Sequence, residues 1–189
     1  MVELEKVAVV QSGGTPSRNV AEYWGGKIPW VGSTVCKDDF VYEAEEFITE
    51  KGLENSAAKI LKPKTTLIAL VGATIGKTGF LTFGSTTNQN IAGLYPIDEK
   101  RLLPEFLFYA AQTLYPNFMQ LGSGKFRMAN LSFVKTQKIH LPSLEEQKQI
   151  VAQIEAEQKI VNENKILIKI FEQKIKDEIA IVEGHSKTN

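Results

Sequence analysis

The spacing of apolar positions divides this chain into two kinds of text that meet near Pro142. Before Pro142, short β-branched and aromatic runs recur between clusters of Gly, Pro, Thr and Asn, the pattern of strands bounded by turns. The predicted strands are 7–10, 66–71, 79–83 and 91–95. One helix is expected among them at 104–119. Phe106, Leu107, Ala110, Ala111 and Leu114 recur at helical spacing, and Pro104 suits a first helical turn. Strands mixed with few helices predict an α+β domain over residues 1–142 rather than a regular βαβ array.

After Pro142 the period changes. Ser143 and Glu146 have the spacing of a capping box, and neither Pro nor Gly follows until Gly184. One long helix is therefore predicted over 143–184, stopped by Gly184, with 185–189 as a frayed tail. Ile154, Val161, Ile168, Ile175 and Val182 stand seven residues apart, the a positions of a heptad series. The d series, Ile150, Glu157, Asn164, Phe171 and Glu178, is partly polar, while Ile160, Leu167 and Ile181 at g widen the stripe. A sustained seven-residue repeat marks a helix that packs lengthwise on another helix. At 1.5 Å per residue this one spans roughly 60 Å, too long to hide its stripe against its own domain. The expected architecture is a mixed α/β domain followed by a coiled-coil helix, with Ile154, Val161, Ile168, Phe171, Ile175 and Val182 as the dimerisation seam. A single amphipathic helix folded back on its own core is the alternative.

Composition narrows the class. A 43% hydrophobic fraction with ten Phe supports one real core, and 22 basic against 22 acidic side chains leave no net charge. That argues against a protein that coats polyanions in general, but charge can still be segregated onto one face. Cys36 is the one cysteine, so neither an intramolecular disulfide nor a cysteine metal cage is expected. Residues 1–6 alternate charged and aliphatic side chains and do not read as a secretory leader. No stretch approaches the ~20 apolar residues of a membrane span. The expectation is a soluble cytoplasmic protein without a membrane partner.

Catalytic motifs fail on inspection. Gly72-Ala73-Thr74-Ile75-Gly76-Lys77-Thr78 resembles a phosphate-binding loop but has three residues between its glycines where the Walker pattern needs four. Its glycines are read instead as turns that leave Thr74, Lys77 and Thr78 exposed. Glu157-Gln158-Lys159 and Glu172-Gln173-Lys174 match half of a nuclease motif, yet lie where a solvated helix face is expected. Two distant histidines, His140 and His185, build no Ser/His/Asp set. Neither a Gly-rich cofactor loop nor an Asn/Asp-Pro-Pro-aromatic segment of a base methyltransferase is found. No catalytic residue, metal or cofactor is expected.

What is left is a binding surface. Gly13-Gly14-Thr15-Pro16-Ser17-Arg18 is a turn with hydroxyl and cationic tips. Thr86-Thr87-Asn88-Gln89-Asn90 gathers amides, which can pair with an adenine edge. Gly122-Ser123-Gly124-Lys125-Phe126-Arg127 sets two cations around an aromatic, suited to phosphate or base contact. Thr15, Ser17, Arg18, Thr74, Lys77, Thr87, Asn88, Gln89, Lys125 and Arg127 are the candidate DNA-contacting residues.

In order along the chain, these segments resemble a known family. Gly13-Gly14-Thr15-Pro16-Ser17, Tyr23-Trp24-Gly25-Gly26 and Ile28-Pro29-Trp30-Val31 are similar to the opening of a target recognition domain in the specificity subunit of Type I restriction-modification systems. Ser56-Ala57-Ala58-Lys59-Ile60-Leu61, the Gly72 to Thr78 segment and Thr86-Thr87-Asn88-Gln89 follow in the family's order. Leu141-Pro142-Ser143-Leu144-Glu145-Glu146-Gln147 with Ile150-Val151 resembles the junction where the family's long helix begins. The resemblance implies a non-catalytic subunit that binds double-stranded DNA and recruits methyltransferase subunits, alongside a restriction subunit that translocates and cleaves. Related domains serve in fused Type IIG-like polypeptides. Family members usually carry two recognition domains and two long helices; this chain carries one of each. It therefore resembles a half-length subunit, expected to homodimerise and read a bipartite inverted repeat. The alternative is a helical adaptor or regulator that reads no DNA and pairs with a full-length subunit.

Overall fold

The computed structural model describes residues 1–121 and 128–185, with side chains as far as Ala180. It forms two compact units, residues 1–148 and 149–189. In chain order the elements are β1 (Val2–Glu3), β2 (Ala8–Ser12), β3 (Trp24–Val31), β4 (Asp39–Val41), β5 (Glu46–Ile48), α1 (Glu50–Glu54), β6 (Thr66–Ala69), β7 (Thr78–Leu81), β8 (Thr86–Thr87), β9 (Ile91–Pro96), α2 (Pro104–Gln112), α3 (Tyr115–Met119), α4 (Leu131–Thr136), β10 (Lys138–Ile139) and α5 (Leu144–His185). This is the α+β arrangement expected, ending in a long helix.

The central five-stranded sheet has the order β2-β9-β6-β7-β4, antiparallel except for the β4–β7 pair. All four β6 residues are buried, because both faces of the sheet are covered. On one face Leu67, Ala69, Leu81 and Ile91 pack with Val31, Cys36 and Leu61. On the other, α2 lies against β6, β7 and β9, and Phe108 meets Phe80 at 5.3 Å between ring centroids. A strand buried on both sides reads as a continuous apolar run rather than an alternation, which is why 66–71 was legible.

A second sheet, β5-β3-β8, was not expected beyond its motifs. Its register shifts between Trp24 and Ile28, where Gly25 takes φ +76 and a Cβ on Gly26 would stand 2.4 Å from the Ile48 carbonyl oxygen. These two glycines permit a bulge that lets Trp24 and Trp30 meet edge to face at 5.3 Å.

The expected helix at 104–119 is two helices, α2 and α3. Pro116 near the start of α3 cannot donate a backbone hydrogen bond, and its ring would clash with the carbonyl four residues earlier if α2 ran on. The start of α5 follows the expected capping box. Ser143 N–H and Oγ–H donate to Glu146 Oε2 at 2.9 and 2.7 Å, and Glu146 N–H donates to Ser143 Oγ at 3.3 Å. Gly184 does not stop the helix, which runs on to His185.

Gln147, one turn into α5, has no exposed surface. Its Oε1 accepts from Leu103 N–H at 2.9 Å, and its Nε2 donates to the carbonyls of Arg101 and Pro142 at 2.8 and 2.9 Å. A buried amide with its donors and acceptor satisfied adds directional bonds where apolar packing alone would let the helix start slide.

Candidate nucleic-acid interface

Strand register brings most of the candidate loops to one end of the central sheet. β2 ends at Ser12, paired with Ala92, so the 13–18 turn leaves beside the start of β9. β6 ends at Ala69 opposite Ile91, and Thr78 at the start of β7 faces Ile68. Asp39 at the start of β4 pairs with Gly79. The 13–18, 88–90, 70–77 and 36–38 segments therefore share one end, although they are scattered through the sequence. Met128 joins them through a bridge to Val71.

The first cluster joins the 13–18 and 86–90 segments. Gly14 N–H donates to the Thr87 carbonyl at 2.8 Å, and Asn88 N–H to the Val31 carbonyl at 3.2 Å. The approach is so close that a Cβ on Gly13 would lie 2.0 Å from the Thr87 oxygen, and one on Gly14 would strike Ala57. The glycines thus serve backbone contact. Trp30 Nε1–H donates to the Gly14 carbonyl at 3.0 Å and Trp24 Nε1–H to the Ser17 carbonyl at 3.2 Å. Thr15 Oγ1–H donates to Gln89 Oε1 at 2.7 Å. Asn88 Oδ1 accepts from Asn90 N–H at 3.0 Å, closing an Asx turn beneath Gln89.

The Arg18 Cζ lies over the Trp24 ring, 3.7 Å from its centroid, and the guanidinium donates to both carboxylate oxygens of Glu46 at 2.7 Å. Hydrogen bonding to Arg18 holds the Glu46 carboxyl below its ordinary range. The fork is bidentate but solvent-reachable, so it orients Arg18 more than it stabilises the fold. Neither Glu46 nor the cation–aromatic contact was visible in sequence. The partners lie 28 residues apart, and no local spacing links them.

The second cluster surrounds the Gly-rich segment. Gly72 and Gly76 take φ +75 and +76, and Gly76 packs so closely on Phe118 that a Cβ would lie 2.7 Å from that side chain. Lys77 forms an ion pair with Asp38 and sits 4.7 Å from the Tyr115 ring centroid. The hydrogen bond to Asp38 raises the Lys77 pKa. Asp38, at φ +60, also accepts from Thr78 N–H at 2.9 Å. The expectation that Thr78 is exposed is corrected: it has no exposed surface, because β7 lies inside the sheet. Asp38 was the missed residue here. It anchors this segment as a structural turn rather than an open phosphate cradle.

Among the other candidates, Ser17 and Gln89 are exposed, while Thr15, Thr74 and Asn88 are half-buried. Thr87 is buried with its hydroxyl unpaired. Lys125 and Arg127 lie outside the described residues. Along α5, Ile154 is half-buried, and Val161, Ile168, Phe171 and Ile175 are exposed; the Val182 side chain lies outside the description.

Among the described residues, no group of three or more His, Cys, Asp and Glu is placed to hold a metal, and no helix is long and apolar enough to cross a membrane. Cys36 is buried, and loss of hydration pushes its thiol up to about 12, far from a reactive thiolate at neutral pH.

Comparison with known proteins places the chain among the specificity subunits of one family. The profile of the Type I restriction modification DNA specificity domain matches residues 1–173. The Type I restriction enzyme MjaIX specificity subunit of Methanocaldococcus jannaschii is 31% identical over 154 residues, covering 78% of this chain and 35% of that protein. The EcoR124I/EcoR124II specificity subunit of Escherichia coli is 23% identical over 146 residues, covering 74% of this chain and 36% of its own length. The chain thus spans about a third of these curated relatives. Among solved structures, the S subunit of the M. genitalium Type I system superposes with a TM-score of 0.64 at 15% identity, covering 89% of this chain and 41% of that one. The HsdS subunit of Thermoanaerobacter tengcongensis gives 0.63 at 23% identity, with 85% and 37% covered. At these identities the likeness shows the fold. With the profile spanning nearly the whole sequence, this chain belongs to the Type I restriction modification DNA specificity domain family.

Proposed function

We propose that this chain is a non-catalytic DNA-reading subunit of a Type I restriction-modification system, acting in the cytoplasm as a homodimer. Residues 1–142 read the duplex, and the helix over 143–184 pairs with its twin and spaces the two domains. The dimer recruits methyltransferase subunits, and through them a restriction subunit. Ser17, Arg18, Thr74, Lys77, Asn88 and Gln89 at the loop end of the sheet supply contacts, together with Lys125 and Arg127.

The observation that carries this reading is the exposed stripe of α5. Val161, Ile168 and Ile175, each seven residues from the next, are 45 to 60% exposed in the single chain. A contiguous apolar patch of that length calls for a partner, and the heptad period specifies a helix. Two identical domains related by a two-fold axis present the same surface to opposite strands, so the half-sites should be inverted repeats.

The test is methylome sequencing of cells carrying this chain with its methyltransferase subunit. The expected motif is two inverted half-sites separated by unread base pairs. An asymmetric or continuous motif overturns the homodimer. Absence of any new methylated motif favours the adaptor, which pairs with a full-length subunit and reads nothing.

A further inference from the structure

Glu46 opens β5, and strand register sets it opposite Trp30 on β3. From there its two carboxylate oxygens accept one N–H from each Nη of Arg18, both at 2.7 Å. The Arg18 Cζ lies over two indoles, 3.7 Å from the Trp24 ring centroid and 5.0 Å from that of Trp30. Each indole is itself tied to the turn that carries Arg18, Trp30 through the Gly14 carbonyl and Trp24 through that of Ser17. Arg18 is thus gripped by a carboxylate and two rings, yet its side chain stays 51% exposed. The fork takes two of the five guanidinium N–H donors and leaves three for a ligand. It also sets one cation directly against one anion, so the positive charge that Arg18 brings to this surface is cancelled where it stands.

We infer that Arg18 reads the edge of one guanine rather than neutralising a phosphate, and that Glu46 is the positioning residue that makes it do so. The inference rests on the DNA-reading role proposed above. A phosphate brought to Arg18 would meet the Glu46 carboxylate at the same group, and like charges at that range repel. A base edge carries no net charge and asks only for donors. Guanine offers two acceptors, O6 and N7, which arginine meets bidentately. A guanidinium already paired with a carboxylate keeps donors for such an edge while losing its advantage at the backbone. Glu46 therefore trades strength of binding, which any sequence would share, for discrimination at one position.

The test measures binding of the chain, complexed with its methyltransferase subunit, to sites varied one base pair at a time and across a range of salt. The wild type should prefer guanine at one position by about tenfold or more, the scale of a good bidentate contact. Removing the pair together, Arg18→Ala with Glu46→Ala, should erase that preference and leave the log-salt slope unchanged. A slope flattened by about one unit in this double variant shows that Arg18 neutralises a phosphate, and overturns the inference. So does a double variant that keeps every base preference. Glu46→Gln keeps the shape but replaces one acceptor oxygen by a donor, which breaks the fork and frees the cation. It should steepen the slope by about one unit and bring the guanine preference to within about threefold. A Glu46→Gln protein that keeps either wild-type value overturns the inference. A second measurement needs neither DNA nor a variant. Nitrogen-15 NMR of the full-length wild type should find rotation about the Arg18 Nε–Cζ bond slowed relative to exposed Arg101. Equal rates for the two remove the grip. Slowed rotation in a protein whose complex shows no base preference at any position instead removes the DNA-reading role, and the guanine assigned to Arg18 falls with it.

Discussion

Thr87 separates what a side chain contains from what it can reach. It belongs to a segment rich in hydrogen-bonding groups, yet its own hydroxyl is buried and unpaired while its backbone carbonyl does the joining. Replacing an unpaired buried hydroxyl by a methyl group of the same shape removes a desolvation cost and no bond. Thr87→Val should therefore be neutral or stabilising, by up to about 1 kcal/mol in urea denaturation, with DNA affinity unchanged. Loss of affinity without loss of stability would mean that the hydroxyl turns outward to meet DNA. Gln89, two positions on, has the opposite standing, exposed and held by a neighbour from another loop. Composition marked both residues equally; burial separates them.

At the scale of elements, α5 draws its stability from capping and helical propensity at its start and leaves its apolar stripe unspent. The capping box and the buried Gln147 fix where it begins. Along the stripe, Ile168 and Ile175 are 56 and 60% exposed, which in a monomer would cost nothing to make polar. Ile168→Glu together with Ile175→Glu should therefore leave the first unit folded and turn a dimer into a monomer. Carboxylates facing each other in a seam would have to be desolvated without partners, a penalty of several kcal/mol. Sedimentation with circular dichroism reads both outcomes. An unchanged oligomer, or a wild type monomeric at micromolar concentration, sets the seam aside. The four strands expected at 7–10, 66–71, 79–83 and 91–95 and the heptad helix were legible because their periods are local. α2 and α3 were merged because apolar spacing continues across Pro116, where backbone chemistry stops the helix. The β5-β3-β8 sheet was missed because Pro, Gly and a bulge break its alternation.

For the whole molecule, the helix acts as a ruler in the proposed dimer. Deleting residues 154–160 removes one heptad, preserves the seam register and shortens each helix by about 10 Å. At about 3.4 Å per base pair the unread gap of the methylated motif should contract by a few base pairs with its half-sites unchanged. A gap that does not move leaves the half-sites to the domains and takes the ruler away from the helix. The sequence alone determined the α+β class, the helix start at Ser143, the heptad stripe and the loop segments rich in hydrogen-bonding groups. Each depends on residues within about one or two turns of one another, where period and capping act directly. Only the tertiary structure decided that the 13–18, 36–38, 70–77 and 88–90 segments share one end of a sheet. It also decided that Arg18 is engaged by Glu46, Lys77 by Asp38 and Gln89 by Thr15, across 28, 39 and 74 residues. Strand register and burial place those partners, and neither leaves a mark in the local spacing of residues.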